Sequence, residues 1–324
     1  MTDLFETLTA DAKIRRPAVA LIAGPTASGK SDLAMALAQA LGKAVVINAD
    51  ASQVYADLSI LSARPAAAAM GHVPHRLFGH VDGAAAYSAA AWAAEARGAI
   101  ADAMVDGAVP ILVGGTGLYV STLLRGIAPV PVIDADVRAA VRALPVDEAF
   151  RQLQAADADA AARLNPRDTT RIARALEVVL ATGTPLRDWQ ARMHGGIGGA
   201  ITLTPAVLLP PRDWLFDRCD ARLATMFAGG AAAEVRTLLD RRLDPDLPVM
   251  RAIGVPQIAA WLDGEIDEAE ALSQAQRATR QYAKRQYTWF RNQCPPDWPR
   301  VEMELSVENC KELVTKLHKS LLTG

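Results

Sequence analysis

The sequence has no apolar run long enough to cross a membrane, few cysteines, no excess of charge of either sign and no internal repeat. Each absence excludes something. Without about 20 consecutive apolar residues, the chain does not read as an integral helical membrane protein. Cys219, Cys294 and Cys310 are an odd, scattered set with neither disulfide-framework nor zinc-site spacing, so a reducing cytoplasm is expected. Residues 1–17 carry Asp3, Glu6 and Asp11 and lack an apolar segment ending in a small-residue cleavage site, which is unlike a secretory leader. A net charge of −2 means that any nucleic-acid surface must come from local clusters of Arg and Lys. What remains is globular: 51% hydrophobic and 22% charged over 324 residues, enough for one large domain with an insertion or for two domains.

The most specific stretch is Gly24, Pro25, Thr26, Ala27, Ser28, Gly29, Lys30 and Ser31, a complete phosphate-loop pattern. The apolar run Ala18 to Ala23 before it reads as a buried strand, and Asp32 to Leu41 after it has helical apolar spacing. This is the strand, loop and helix context that the motif needs. Glycines at 24 and 29 allow successive N–H groups to turn toward one anion at the positive end of the following helix. Lys30 adds a point charge, and the Ser31 hydroxyl is a candidate ligand for Mg²⁺. A nucleoside triphosphate is the default occupant, although any diphosphate satisfies the same donors.

A second strand, Ala44 to Ile47, places Asp50 just past its carboxyl end. Ligands bind along that edge of open α/β sheets, so Asp50 either faces the crevice of the phosphate loop or serves as a turn or capping aspartate. The next loop carries His72, His75, Arg76 and His80, but Pro74 breaks any helix there and no Cys or carboxylate completes a metal set nearby. A helix over 88–105 and a strand over 108–113 then lead into the glycine turn Gly114 to Gly117. That turn reads equally as tight packing or as a ligand contact.

Composition changes at the proline-marked segment Gly126 to Pro131. From there to about Gly199 the pattern predicts short helices and no strand, giving an all-helical insertion at residues 129–200 within a core of residues 1–128 and 201–324. Arg167, Arg171 and Arg174 share one face of its last helix, as either a solvated stripe or a surface for a polyanion. After the return strand at 201–209, Arg218 and Arg222 fall one helical turn apart, a spacing that can fork onto a diphosphate. The long helix over 267–292 interleaves Arg277, Arg280, Lys284 and Arg291 with Tyr282, Tyr287, Trp289 and Phe290. That composition suits single-stranded nucleic acid and also an ordinary amphipathic helix. A short strand near Val301 and a helix over 307–322 complete the pattern.

Taken together, the chain resembles the tRNA dimethylallyltransferases, also called tRNA isopentenyltransferases, over residues 18–292. The matching blocks run in order: the phosphate loop, Asp50 with Gln53 to Tyr55, Pro74 to Leu77, Leu112 to Thr116, Arg171 to Val178, Met226 to Glu234, Ala252 to Gly254, and Thr279 to Arg291. The resemblance implies a parallel α/β sheet of the phosphate-loop NTPase type carrying a helical insertion that grips the tRNA anticodon stem. It implies transfer of a dimethylallyl group from dimethylallyl diphosphate to N6 of the adenosine 3′ of the anticodon. Asp50 is then the base, with Thr26, Lys30, Arg222 and Mg²⁺ at Ser31 holding the diphosphate. By the same matching Asp50, Ala51, Ser52, Gln53, Thr116, Arg138, Thr170, Arg171, Ile172, Ala173, Arg174, Arg251, Ala252, Ile253, Gly254, Val255 and Pro256 contact tRNA. A cytoplasmic monomer is expected. The pattern departs from the family at Ala51, Gly79, Val255 and Pro256, and the tail after Pro296 lies outside it.

The strongest rival is a phosphate-loop kinase or prenyltransferase acting on a small nucleotide such as AMP; a non-catalytic RNA-binding module with an ATP switch is the rival of another class. No apolar strand ending in paired acidic residues supports either a kinase or an ATPase.

Overall fold

In a computed structural model, residues 4, 5, 8 and 16–323 are described. The reading of the amino-terminal segment as lacking a leader therefore falls almost wholly outside the described residues. The elements, in order, are β1 (Ala18–Ala23), α1 (Lys30–Leu41), β2 (Ala44–Asn48), α2 (Ala67–Met70), β3 (His75–Arg76), α3 (Ala89–Val105), β4 (Val109–Gly114), α4 (Gly117–Arg125) and β5 (Gly126–Ile127). There follow α5 (Ala135–Ala143), α6 (Val146–Ala156), α7 (Ala158–Arg163), α8 (Thr169–Thr182), α9 (Leu186–Gln190) and β6 (His194–Gly195). The chain then runs through β7 (Thr202–Leu208), α10 (Arg212–Met226), α11 (Ala232–Asp240), α12 (Val255–Leu262), α13 (Glu268–Gln293), β8 (Arg300–Val301) and α14 (Val307–Thr323).

Two compact units result, one from residues 1–123 with 197–324 and the other from residues 124–196. The first is built on a six-stranded sheet in the order β3-β2-β4-β1-β7-β8, with every pairing parallel. Strand β1 lies at its centre because Val19, Leu21 and Ala23 feed one apolar face while Ala20 and Ile22 feed the other. Leu33 and Leu37 of α1 pack on the second of these faces, and Leu317 and Leu321 of α14 join the same cluster. Each such buried leucine contributes about 1.5–3 kcal/mol. On the opposite face, the Trp92 ring of α3 stacks on Tyr119 with centroids 4.5 Å apart, and its indole N–H donates to the Asn48 carbonyl at 2.8 Å.

Strand order decides where the chemistry can lie. Strand β4 sits between β1 and β2, so the loops after β1 and β2 flank the carboxyl end of β4, where the sequence is Gly114-Gly115. A side chain at Gly114 would run into the Ala49 backbone at 2.1 Å. The two loops approach each other across a strand end stripped of side chains.

The second unit packs α5 to α8 around Val141, Leu153, Ile172, Leu176 and Val179. Asp134, Asp157 and Asp168 each cap a helix by accepting a backbone N–H, at 2.7, 2.9 and 3.1 Å. It is not wholly helical: β5 and β6 form a two-residue antiparallel ladder, Gly126 opposite Gly195 and Ile127 opposite His194. Its bounds, 124–196, lie a few residues before the 129–200 of the sequence reading. Pro129 and Pro131 mark the composition change, whereas backbone contacts change at the preceding ladder.

Candidate active site

The phosphate loop leaves β1 through Gly24, whose φ is 151°, and re-enters helix at Gly29, with φ 91°. Ala27 also takes a positive φ, 62°, a conformation that costs an alanine more than a glycine. Thr26 to Ser31 line a cavity of about 450 Å³ together with Asp32, Asp50, Ser52, Gln53, Arg218 and Arg222. Gly24 and Pro25 form the buried root of the loop, and the Pro25 carbonyl accepts the Lys30 ammonium at 2.6 Å. Lys30 is 9% exposed, and burial pushes its pKa down to about 8, with the Asp50 carboxylate opposing that shift and the Arg222 guanidinium adding to it. Ser28 is more enclosed still, at 1% exposed, and its hydroxyl has no hydrogen-bond partner among the described residues. An unpaired buried hydroxyl and a lysine destabilised as a cation are what an anion in this loop would satisfy.

Arg218 and Arg222 reach the loop from α10. The Arg218 Nε–H donates to the Ala27 carbonyl at 3.0 Å, and Arg222 donates to the Thr26 hydroxyl. Burial lowers the Arg222 pKa from its ordinary value. A π-type bulge at Phe227–Ala231, with Gly230 at φ 108°, links α10 to α11. Glu234 in α11 then accepts the N–H groups of Ser59, Ile60 and Leu61 at 2.6, 2.8 and 3.0 Å, and the Ser59 hydroxyl at 2.9 Å.

Asp50 satisfies both sequence readings at once. Its Oδ1 accepts the Ser52 N–H at 3.0 Å and the Ser52 hydroxyl at 2.7 Å, which makes it a turn aspartate. It also lines the phosphate-loop cavity, and its Oδ2 lies 3.2 Å from where a Gly115 side chain would begin. Only a glycine leaves that carboxylate oxygen clear.

A second cavity of about 340 Å³ is lined by Thr26, Ala51, Ser52, Tyr55, Leu58, Leu61, Arg222, Met226, Arg251, Ala252, Ile253, Tyr282 and Arg285. Thr26, Ser52, Ser62, Arg222 and Tyr282 border both cavities, so an apolar recess adjoins the polar cradle. Burial raises the Tyr282 pKa, and the Asp50 charge raises it further, which keeps the phenol protonated as a donor. Thr116 stands behind Ala51, whose N–H its hydroxyl accepts at 2.9 Å.

The remaining sequence-picked residues divide three ways. Arg138, Thr170, Arg171 and Arg174 are exposed in the second unit, and Ala173 is half-buried there. Ile172 is 0% exposed in the core of that unit, and Val255 is likewise buried. Their side chains pack into the protein, so a contact with RNA there would run through the backbone. Gly254 is buried at φ 99° and opens α12, while Pro256 is exposed in its first turn.

The basic and aromatic pattern of α13 also resolves differently from a continuous RNA face. Phe290 is fully buried, and a Gly117 side chain would meet the Trp289 ring at 2.2 Å. The Tyr287 hydroxyl donates to the Leu209 carbonyl at 3.3 Å, and Arg280 pairs with Asp220. Trp289 reaches inward over the side-chain-free backbone at Gly117. The sequence reading assigned no role to Gln286, which bonds Thr26 and Gly115, or to the Glu234 clamp. Gln286 had a signal: it is polar within the buried stripe Ala271, Ala275, Thr279, Ala283, Phe290. Glu234 closed one of the matching blocks, but its partners at Ser59 to Leu61 lie too far away in sequence to leave a local pattern.

Comparison with known proteins bears on the family and the fold. The profile of the family described as IPP transferase matches residues 53–293. The chain is 65% identical over 305 residues to a tRNA dimethylallyltransferase of Sphingopyxis alaskensis, covering 94% of this chain and 100% of that one. It is 62% identical over 291 residues to a tRNA dimethylallyltransferase of Erythrobacter litoralis, covering 89% and 92%. The crystal structure of a tRNA isopentenylpyrophosphate transferase from Bacillus halodurans superimposes with a TM-score of 0.69 at 31% identity, over 95% of this chain and 97% of that one. A eukaryotic dimethylallyltransferase acting on tRNA superimposes with a TM-score of 0.73 at 28% identity, over 85% and 70%. With a profile match over residues 53–293 and near-full-length coverage of close relatives on both sides, this chain belongs to the IPP transferase family of tRNA dimethylallyltransferases.

Proposed function

We propose that this protein transfers the dimethylallyl group of dimethylallyl diphosphate to N6 of the adenosine immediately 3′ of the anticodon in tRNA and releases diphosphate. The observation that carries the reading is that the Asp50 carboxylate faces the same cavity as the phosphate loop. In the reaction the allylic C–O bond breaks as the N6–C bond forms, the diphosphate leaves with the electron pair, and the N6 proton passes to Asp50. An exocyclic adenine amine is a weak nucleophile, so a fixed base at that atom matters. The loop amides, Lys30, Arg218 and Arg222 stabilise the charge growing on the leaving oxygens. Thr26, held by Arg222, presents its hydroxyl to the same group.

Among the described residues no cluster of three His, Cys, Asp or Glu side chains can hold a metal ion alone. The Ser31 hydroxyl, exposed on the cavity wall, is the residue that would hold a divalent cation brought in on the diphosphate. Mg²⁺ there would supply further charge neutralisation to the leaving group.

On the RNA side, the apolar recess beside Asp50 suits a base turned out of its stack, with Ala51, Ser52, Arg251, Ala252 and Ile253 around it. Gln53 and Thr116 fix the Asp50 loop; Gly254 and Pro256 shape the turn that carries Arg251. Arg138, Thr170, Arg171, Ala173 and Arg174 are proposed to meet the anticodon stem from the helical unit. The proposed setting is a cytoplasmic monomer; no helix among the described residues is long and apolar enough to cross a membrane. The test is incubation with labelled dimethylallyl diphosphate, Mg²⁺ and either tRNA or AMP. Label on tRNA supports the reading, and label on AMP alone replaces it with a small-nucleotide prenyltransferase.

A further inference from the structure

We infer that Gln286 is a positioning residue whose amide braces the phosphate loop against the strand end beside Asp50, setting the spacing between leaving group and base. This rests on the prenyl transfer proposed above. Gln286 comes from the middle of α13 and is 6% exposed. Its Oε1 accepts the Thr26 N–H at 2.8 Å, and its Nε2 donates to the Gly115 carbonyl at 2.8 Å. The orientation follows from the partners, since one is only a donor and the other only an acceptor. Both bonds are near their optimum length, so the amide acts as a strut of fixed length between the two loops.

Each end of that strut touches a reacting group's support. Thr26 is held twice, through its backbone by Gln286 and through its hydroxyl by Arg222. Gly115 lies beside Asp50, and a side chain placed on it would begin 2.3 Å from the Gln286 Nε2 and 3.2 Å from the Asp50 Oδ2. A shift of the amide therefore displaces the cradle for the leaving diphosphate relative to the carboxylate, although Gln286 lines neither cavity. Rigid neighbours hold the amide in place, since Ala283 and Phe290 on the same stripe are both fully buried. Positional errors of this kind, at about 1 Å, cost on the order of 100-fold in rate.

The experiment compares the full chain with Gln286→Leu, Gln286→Glu, Gly115→Ala and the Gln286→Leu/Gly115→Ala double variant. Readouts are single-turnover transfer from dimethylallyl diphosphate to an anticodon stem-loop RNA, RNA affinity, and melting temperature. Gln286→Leu is expected to slow transfer by about 100-fold per folded molecule, with RNA affinity within about twofold of the parent. The double variant is expected to be no slower than the slower single one, because both changes remove the same brace. Gln286→Glu adds a readout that a purely structural role would not move. Its protonated form regains the donor to Gly115, so the ratio of its rate to the parent's rises as pH falls. Transfer by a natively melting Gln286→Leu at the parental rate, or independent effects multiplying in the double variant, overturns the inference. Failure of the unmodified chain to label RNA would instead overturn the proposed reaction.

Discussion

Lys30 predicts an unusual pH dependence of diphosphate binding. In the free protein burial brings its pKa from 10.5 to about 8, so the site disfavours the ammonium that the anion needs. That difference corresponds to roughly 3 kcal/mol. A fully ionised diphosphate beside Nζ restores the charge and pulls the pKa back up. Affinity is therefore level below about pH 8 and falls close to tenfold per pH step above it, giving about 30-fold between pH 7 and 9.5. Stability of the ligand-free protein moves the other way. Between about 8 and 10.5 the unfolded chain retains a proton that the folded one has lost, so the lysine's destabilising contribution is present below that window and fades as pH rises through it. The assay is calorimetric titration with isopentyl diphosphate, an unreactive saturated analogue whose own ionisation is complete above neutral pH. Lys30→Met should bind more weakly and lose the slope. A parental dissociation constant that changes by less than about twofold over the range, or an unchanged slope in Lys30→Met, refutes the reasoning.

Other expectations concern single contacts. Asp50→Asn keeps an Oδ1 acceptor for Ser52, so diphosphate affinity should hold while transfer drops by about 10²–10⁴-fold in single-turnover assays. Glu234→Ala frees three backbone N–H groups at Ser59 to Leu61; hydrogen exchange there should rise about tenfold and the KM for tRNA should increase, with diphosphate affinity unchanged. Gly117→Ala drives a methyl group into the Trp289 ring, and a loss of about 1–3 kcal/mol should appear as a melting temperature lower by several degrees.

The parallel sheet was legible because its central strands are continuous apolar runs bounded by glycine turns, as at Ala18 to Ala23 and Val109 to Gly114. The two-residue strands were not. β3 sits in a loop beside Pro74, and β5 with β6 has no pattern of its own, since a single ladder rung pair needs its partner to exist. Helix α13 was legible as a helix but not in its facing. Its pattern suited an RNA face and an ordinary amphipathic helix alike, and only the folded chain shows Trp289 lying over Gly117. The tail shows the same limit: α14 was expected, yet only the folded chain reveals Leu305 lying on Gly29 of the phosphate loop, where a side chain would begin 2.8 Å from it. Pairwise side-chain meetings between segments far apart in sequence leave no periodic trace.

The strand order carries a consequence for biosynthesis. β1 is hydrogen-bonded on one flank to β4 and on the other to β7, which the ribosome delivers only after the helical unit of residues 124–196. Until then the strand that feeds the phosphate loop is a bare, strongly apolar edge, the kind that pairs indiscriminately with other nascent chains. The helical unit, assembled from neighbours in sequence, is free to mature during that wait, whereas the catalytic sheet must close across it.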